Sequence, residues 1–364
     1  MDSKGITKVS LGVLEDLAQE PRTNNKITNT FSISLIAFLF FCIFSPTLWG
    51  AISPISHNDL KGKIDQILSS GDLKPTEVGI KVVSLKTGET LYEKNPNSLL
   101  IPASNAKIFT AITALKQMGP KYRFPTKVLT DGSISGETLN GNLFIQGTGD
   151  TFFVTEFIYY LANELAREQF TQVTGDLIID DFYFDRDYEV PPGDRAYVAP
   201  TGAVSANFNS VAAYVRPAKK AGEPAIVILD PPNDYISLKN ETKTVKSGSN
   251  QQIDVKRVRS GDHKDVLIVK GTVPVSSKED VYYRSISDPP FYAGSVIKSI
   301  LSQRGIAVQG TVRHGKTPSS AQELLVYESK TFDLLVRDLL NFSNNMIANQ
   351  LLKTMGAARF GAPG

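Results

Sequence analysis

The sequence predicts an α+β fold, helices packed on an antiparallel sheet, interrupted by a β-rich insertion. Three observations carry this. Two strand-like runs at 77–85 and 90–94 feed straight into helical spacing; from 121 to 288 short apolar runs alternate with Gly, Asp and Pro; and after 289 helical spacing returns. The 364 residues suffice for two or three domains, and 41% hydrophobic with 21% charged residues is ordinary globular usage. The 39 basic and 37 acidic side chains nearly cancel and form no long basic run, which gives nucleic acid no electrostatic foothold as a partner.

Residues 1–30 form a polar tail of mixed charge. They lead into 31–52, whose strictly apolar core from Leu35 to Phe44 has the length of a signal-peptide core, while the wider run to Ile52 is long enough for a membrane anchor. Trp49-Gly50-Ala51 matches a cleavage site poorly, and Cys42 lacks the small neighbours of a lipid-attachment site. The segment is expected to export the chain and to tether it or be removed, so that the residues beyond 52 face outside the inner membrane. Cys42 is the one cysteine, which leaves neither a disulfide framework nor a thiolate metal site. His57, His263 and His314 show no metal-ligand spacing, so no metal site is expected of them, and a Ser-His-Asp triad is disfavoured.

Beyond a Pro/Ser spacer, 57–70 reads as a helix with Leu60, Ile64, Ile67 and Leu68 on one side, and Lys86-Thr87-Gly88 as the turn of the following hairpin. These elements and the next helix make up a first part, 57–120. The insertion, 121–288, holds strand-like runs at 141–147, 175–180 and 265–271 and one helix near 155–169; Gly147-Thr148-Gly149-Asp150 lacks the lysine of a phosphate loop and reads as a tight turn. The last part, 289–364, holds a helix at 289–304, a strand at 306–313, and helices at 331–340 and from 343 onward.

The chemistry is expected at 101–112, Ile-Pro-Ala-Ser-Asn-Ala-Lys-Ile-Phe-Thr-Ala-Ile. Pro102 suits a first helical turn, Ser104 and Lys107 share a face, and Ile101, Ile108, Ile112 and Leu115 make an apolar stripe for burial. A serine hydroxyl is a poor nucleophile until a base takes its proton, and an amine serves when desolvation or a second cation keeps it neutral. The helix start adds N–H groups and dipole for an oxyanion. Ser104 is therefore the candidate nucleophile and Lys107 its base. A second Ser-x-x-Lys, Ser295 with Lys298, reads as the solvated face of an amphipathic helix.

Between the last two helices lies Asn341-Phe342-Ser343-Asn344-Asn345. By residue type alone, capping is the default role of Ser343 and Asn345. The alternative is a hydroxyl and an amide projecting into the Ser104 cleft. Ser-x-Asn also occurs at Ser56-His57-Asn58 and Ser205-Ala206-Asn207, but only Ser343 sits between two helices.

Ser104-Asn105-Ala106-Lys107 with Ser343-Asn344-Asn345 resembles two of the three boxes of the penicillin-recognising serine enzymes, Ser-x-x-Lys and Ser-x-Asn. The long β-rich segment between them, with 175–180 and Asn207-Phe208-Asn209-Ser210-Val211, is similar to the D-alanyl-D-alanine carboxypeptidase/endopeptidase family that contains penicillin-binding protein 4. The resemblance implies a transpeptidase-like domain and an acyl-enzyme on Ser104, with Lys107 as base, Ser343 relaying a proton to the leaving amine, and Asn345 binding the peptide amide or Lys107. Asn344 is expected to face away. It also implies peptidoglycan stem peptides as substrate, β-lactams as covalent inhibitors, an extracytoplasmic location and no cofactor.

The third box, Lys-Thr/Ser-Gly, belongs on a strand downstream of Ser-x-Asn. Lys86-Thr87-Gly88 precedes Ser104, Lys246-Ser247-Gly248 lies in the insertion, and Lys353-Thr354-Met355-Gly356 is interrupted and helical. None is a substitute, so the chain is expected to be truncated; loss of one oxyanion donor costs about 2.7 to 4 kcal/mol. Two alternatives to the active enzyme remain: a catalytically incomplete, membrane-tethered wall-binding protein of the same fold, and an unrelated anchored β-rich binding module.

Overall fold

A computed structural model describes residues 7–9, 57–70, 77–185, 192–261 and 263–364. The expected export or anchor segment, 31–52, lies outside these residues. Among the described residues, no helix is long and apolar enough to cross a membrane. Strand β1 (Thr7–Val9) is the first described element. Contacts divide the chain into two units, Glu20–Ala103 and Met1–Gln19 with Ser104–Gly364.

In the unit Glu20–Ala103, helix α1 (His57–Leu68) and the antiparallel hairpin β2 (Ile80–Val83) and β3 (Thr90–Lys94) form where the sequence places them. Gly88 takes φ 74°, the left-handed conformation the turn requires. Tyr92, the buried residue of β3, donates its hydroxyl to Asp65 Oδ1 of α1 at 2.6 Å, which ties hairpin to helix.

The second unit starts with α2 (Ala106–Met118), preceded by a 3-10 turn, Ala103–Asn105. There follow β4 (Pro125–Thr130), β5 (Ser133–Ser135), β6 (Thr138–Asn140), β7 (Leu143–Gln146), α3 (Thr155–Ala166), β8 (Gln172–Val173) and β9 (Leu177–Asp180). Next come β10 (Ser210–Arg216), β11 (Ile226–Asp230), β12 (Ile236–Val245), β13 (Gln252–Ser260), β14 (Lys264–Pro274) and β15 (Asp280–Ser285). The last are α4 (Pro289–Gln303), β16 (Ala307–Val308), β17 (Val312–His314), β18 (Gln322–Glu328), α5 (Phe332–Phe342) and α6 (Asn345–Phe360).

The largest sheet is mixed, in the order β1-β18-β4-β7-β9-β17. Strands β4, β7 and β9 come from 121–288 and pair with one another and with β17 and β18 from beyond 289, so the two segments share a sheet. Helices α3 and α4 pack on each other and on this sheet, burying Ile158, Leu161, Val296 and Ile300 against Ile145, Leu177, Ile179 and Tyr327. Each such side chain removed from water contributes about 1.5–3 kcal/mol. Gly294 lets α4 approach closely, for a Cβ there would lie 2.3 Å from Val312 Cγ1. The remaining strands of the unit form smaller sheets, β11-β10-β15, β12-β14-β13 and β16-β8-β6-β5.

Two expectations change. The run 306–313 is two short strands in different sheets, because the chain turns at Gly310, pressed against the Gly175 carbonyl, where a Cβ would lie at 2.5 Å. The solvated helix face expected for Ser295 and Lys298 is instead packed: α4 is buried on nearly every side, Ser295 Oγ accepts the Asp234 N–H at 2.8 Å, and Lys298 donates to the Gly310 carbonyl.

A second core lies under α2, α5 and α6, where Ala111 and Ala114 meet Phe332, Leu335, Leu339, Ile347 and Leu351 around Phe124. The spacing of the α5 residues is that of an amphipathic helix seated on one stripe.

Candidate active site

Ser104 lies in the 3-10 turn at the head of α2, not inside the α-helix, and Pro102 stands before that turn. The preceding residue, Ala103, takes φ 45°, an uncommon backbone for a residue with a Cβ. The expected burial of the isoleucine stripe is corrected: Ile101, Ile108 and Ile112 are exposed, and Ser104 is exposed with them. The buried side of α2 is the one carrying Ala111 and Ala114, small residues that let α5 and α6 come close, so the helix is rotated away from its bulkier face.

Lys107 Nζ donates to Ser104 Oγ at 3.0 Å and to Ser343 Oγ at 3.3 Å. Two serines 239 positions apart in the sequence thus meet at one lysine amine. The first-turn N–H groups of α2 have no partners within the helix and carry positive dipole character beside Ser104.

Ser343 reaches this place because α5 ends on it with φ 51° and ψ 38°, a left-handed residue that closes the helix and reverses the chain. Asn344 then caps α6, its side chain accepting the Ile347 N–H at 3.1 Å. Capping, the default reading for Ser343 and Asn345, is carried by the side chain between them. Asn345 Nδ2 donates to the Tyr197 carbonyl at 3.0 Å, so its hydrogen bond runs to the segment before β10 and not to Lys107.

Ser343, Asn344 and Asn345 line one part of a groove of about 780 Å³, whose walls include Phe152, Tyr197 and Phe208. The other two Ser-x-Asn copies do not join this group: Ser56 lies outside the described residues, and Ser205 is buried with its hydroxyl donated to the Gly202 carbonyl at 2.8 Å. Lys353 and Thr354 lie within α6, Thr354 donating to the Gln350 carbonyl at 2.9 Å, and so form no strand-borne third box. Tyr197, which enters through a backbone carbonyl, left no mark in the sequence. Phe208 had one: asparagines flank it, and asparagine tolerates left-handed backbone.

Asp150 lies two residues before the groove residue Phe152. It is 3% exposed, its Oδ1 accepts the Phe152 N–H at 2.9 Å, and its Oδ2 has no partner among the described residues. Burial pushes its carboxyl up to about 7, against the opposing pull of that N–H and of the Lys330 charge. Its backbone carbonyl accepts Gln350 Nε2 at 3.0 Å, which pins α6 to this turn.

A mixed helix-and-sheet chain with Ser-x-x-Lys at a helix start, facing a serine between two helices, has the arrangement of the penicillin-recognising serine enzymes. Residues 60–364 match the D-Ala-D-Ala carboxypeptidase 3 (S13) family, and the chain belongs to it. It is 30% identical over 318 residues to a D-alanyl-D-alanine carboxypeptidase of Actinomadura sp. (strain R39), covering 84% of this chain and 58% of that one. To the D-alanyl-D-alanine carboxypeptidase DacB of Haemophilus influenzae it is 25% identical over 337 residues, 91% of this chain and 67% of the relative. The crystal structure of penicillin binding protein 4 from Haemophilus influenzae shares the fold, with a TM-score of 0.65 at 23% identity over 79% of this chain and 64% of that one. The family that two short boxes suggested is thus borne out, and the chain spans 58% of the Actinomadura enzyme's length.

Proposed function

We propose that this chain carries the acylation chemistry of a serine-type D-Ala-D-Ala carboxypeptidase/endopeptidase acting on peptidoglycan stem peptides. The observation that carries the reading is the one lysine amine within hydrogen-bond reach of two serines, Ser104 at 3.0 Å and Ser343 at 3.3 Å. The Lys107 amine takes the proton of Ser104, whose oxygen attacks the carbonyl of the D-Ala-D-Ala bond. The first-turn N–H groups of α2 help to hold the oxyanion. On collapse the C–N bond breaks and the proton returns through Ser343 to the departing amine, leaving an ester on Ser104. Water then hydrolyses the ester, with Lys107 again taking the proton. Asn345, whose Nδ2 donates to the Tyr197 carbonyl, binds the peptide amide through its remaining hydrogen-bonding capacity. A β-lactam presents a strained amide to the same serine and remains attached. The enzyme acts outside the inner membrane, exported by 31–52, which serves as a cleaved signal peptide or as a membrane anchor.

Intact-mass spectrometry with a labelled penicillin tests this. One adduct per chain, mapped to the peptide containing Ser104 and absent from Ser104→Ala and Lys107→Met, is the expected result. An adduct that persists on Ser104→Ala would sink the mechanism, and a fully folded protein that forms none would leave the wall-binding alternative.

A further inference from the structure

Three consecutive residues, Asn207, Phe208 and Asn209, take positive φ values of 46°, 56° and 50°. Asparagine adopts this backbone readily; phenylalanine does so at a steric cost. Such a turn persists only where its surroundings over-determine it. Here they do. Asn207 Oδ1 accepts the Thr155 N–H at 2.9 Å and its Nδ2 donates to Thr155 Oγ1 at 2.7 Å, which fixes the turn to the start of α3. Asn209 Nδ2 donates to the Pro200 carbonyl at 2.8 Å and to Ser205 Oγ at 2.9 Å. The Ser205 hydroxyl in turn lies 3.3 Å from Gln350 Oε1 of α6.

Those bonds hold the two asparagines and explain nothing about the benzyl group between them, since glycine would meet the backbone demand without strain. What the position gives Phe208 is placement. Its ring meets Phe152 edge-on, with centroids 5.4 Å apart at 80°, and packs against the core under α2, α5 and α6. It is half-buried, its free part lining the groove that holds Ser343, Asn344 and Asn345. Among the described residues, those lining the groove include Glu156 and Asp230 but no lysine or arginine; the nearby cations reach it from its edges, Lys107 at Ser343, 3.3 Å away, and Lys330 with its Nζ 3.4 Å from the Phe152 ring centroid, so the surface that Phe208 itself presents is apolar.

We infer that Phe208 is a specificity-determining residue: with Phe152 it receives an apolar side chain or aliphatic linker of the acyl donor beside the scissile bond. The left-handed turn is the device that aims it. This rests on the acyl-enzyme reading at Ser104 and adds which substrates that serine prefers.

The test compares second-order acylation rate constants for two β-lactams that share one ring nucleus, one with an acetyl and one with a long apolar acyl chain. Wild type, Phe208→Gly and Phe208→Leu are measured, with a thermal melt of each. Glycine removes the ring while easing the backbone; leucine keeps apolar bulk of another shape should the glycine variant fail to fold. Wild type is expected to favour the long chain, and Phe208→Gly to lower the ratio of the two rates about tenfold, with Phe208→Leu between. A residue that merely supports the fold would slow both compounds alike. Ratios within about twofold of wild type in the folded variants overturn the inference and leave the Ser104 chemistry standing. Absence of Ser104-dependent acylation in wild type overturns that chemistry, and this inference with it.

Discussion

Asp150 makes the stability of this unit depend on pH in a direction opposite to that of a salt-bridged carboxylate. Its carboxyl is pushed from 3.8 up to about 7, first by burial, while the Phe152 N–H and the Lys330 charge pull it back. Tyr327, which also feels Asp150, is raised by burial and by that carboxylate, and its hydroxyl has no partner among the described residues. Between about pH 4 and pH 7 the folded chain holds a proton that the unfolded chain has released, so the native state binds more protons and stability falls as pH rises through that window. Above about pH 7 both states are ionised and the contribution is flat. The interval corresponds to a loss on the order of 4 kcal/mol at 1.36 kcal/mol per unit. Asp150→Asn, which cannot ionise, removes the slope, and any cost of placing the new amide is independent of pH. The assay is urea denaturation of wild type and variant at matched pH values from about 4.5 to 8.5, read as the difference between the two. That difference should shift in favour of the variant as pH rises and level off near 7. A difference independent of pH would refute the assignment. Lys330→Met, which removes the opposing charge, should move the bend to higher pH.

Two further predictions concern the scaffold around the site. Gly149 has φ 96°, and a Cβ there would meet the Phe184 ring at 2.5 Å and Thr354 Oγ1 of α6 at 3.0 Å. Gly149→Ala should therefore cost about 2 to 3 kcal/mol in denaturant unfolding, and an unchanged midpoint would show the turn to be looser than described. Asn344→Ala removes the cap of α6 and should cost about 1 kcal/mol, while Asn344→Asp, which keeps the acceptor, should retain most of it.

The elements that periodicity dictates were legible. The helices at α1, α3, α4, α5 and α6 and the runs that became β7, β9 and β14 carry their pattern in the sequence, because one face of each must be apolar to be buried. What periodicity could not reveal is which of two faces is buried. On α2 the bulky stripe of Ile108 and Ile112 outweighs Ala111 and Ala114 in hydrophobicity, yet the alanines face the core because α5 and α6 approach too closely for anything larger. The same limit misled the reading of α4, whose serine and lysine look solvated until neighbouring strands supply partners for them. Long-range pairing was equally hidden. No local signal says that β9 lies between β7 and β17, or that Asn345 answers to Tyr197.

The two Ser-x-x-Lys copies differ in what their side chains are bonded to. Their spacing is identical, and the helix around the second is the better buried. In that copy both polar groups bond to the backbone: the Ser295 hydroxyl accepts the Asp234 N–H and Lys298 donates to the Gly310 carbonyl. Ser104 and Lys107 are partners of each other instead, on an exposed turn, and the third group at the ammonium is again a hydroxyl. A site assembled from hydroxyls and one amine has protons to pass along and no backbone bond to break first. The division of labour at 343–345 works in the same sense. Asn344 takes the capping duty that would otherwise occupy its neighbours, and the left-handed backbone at Ser343 ends α5 without using the serine side chain, so its hydroxyl stays at Lys107.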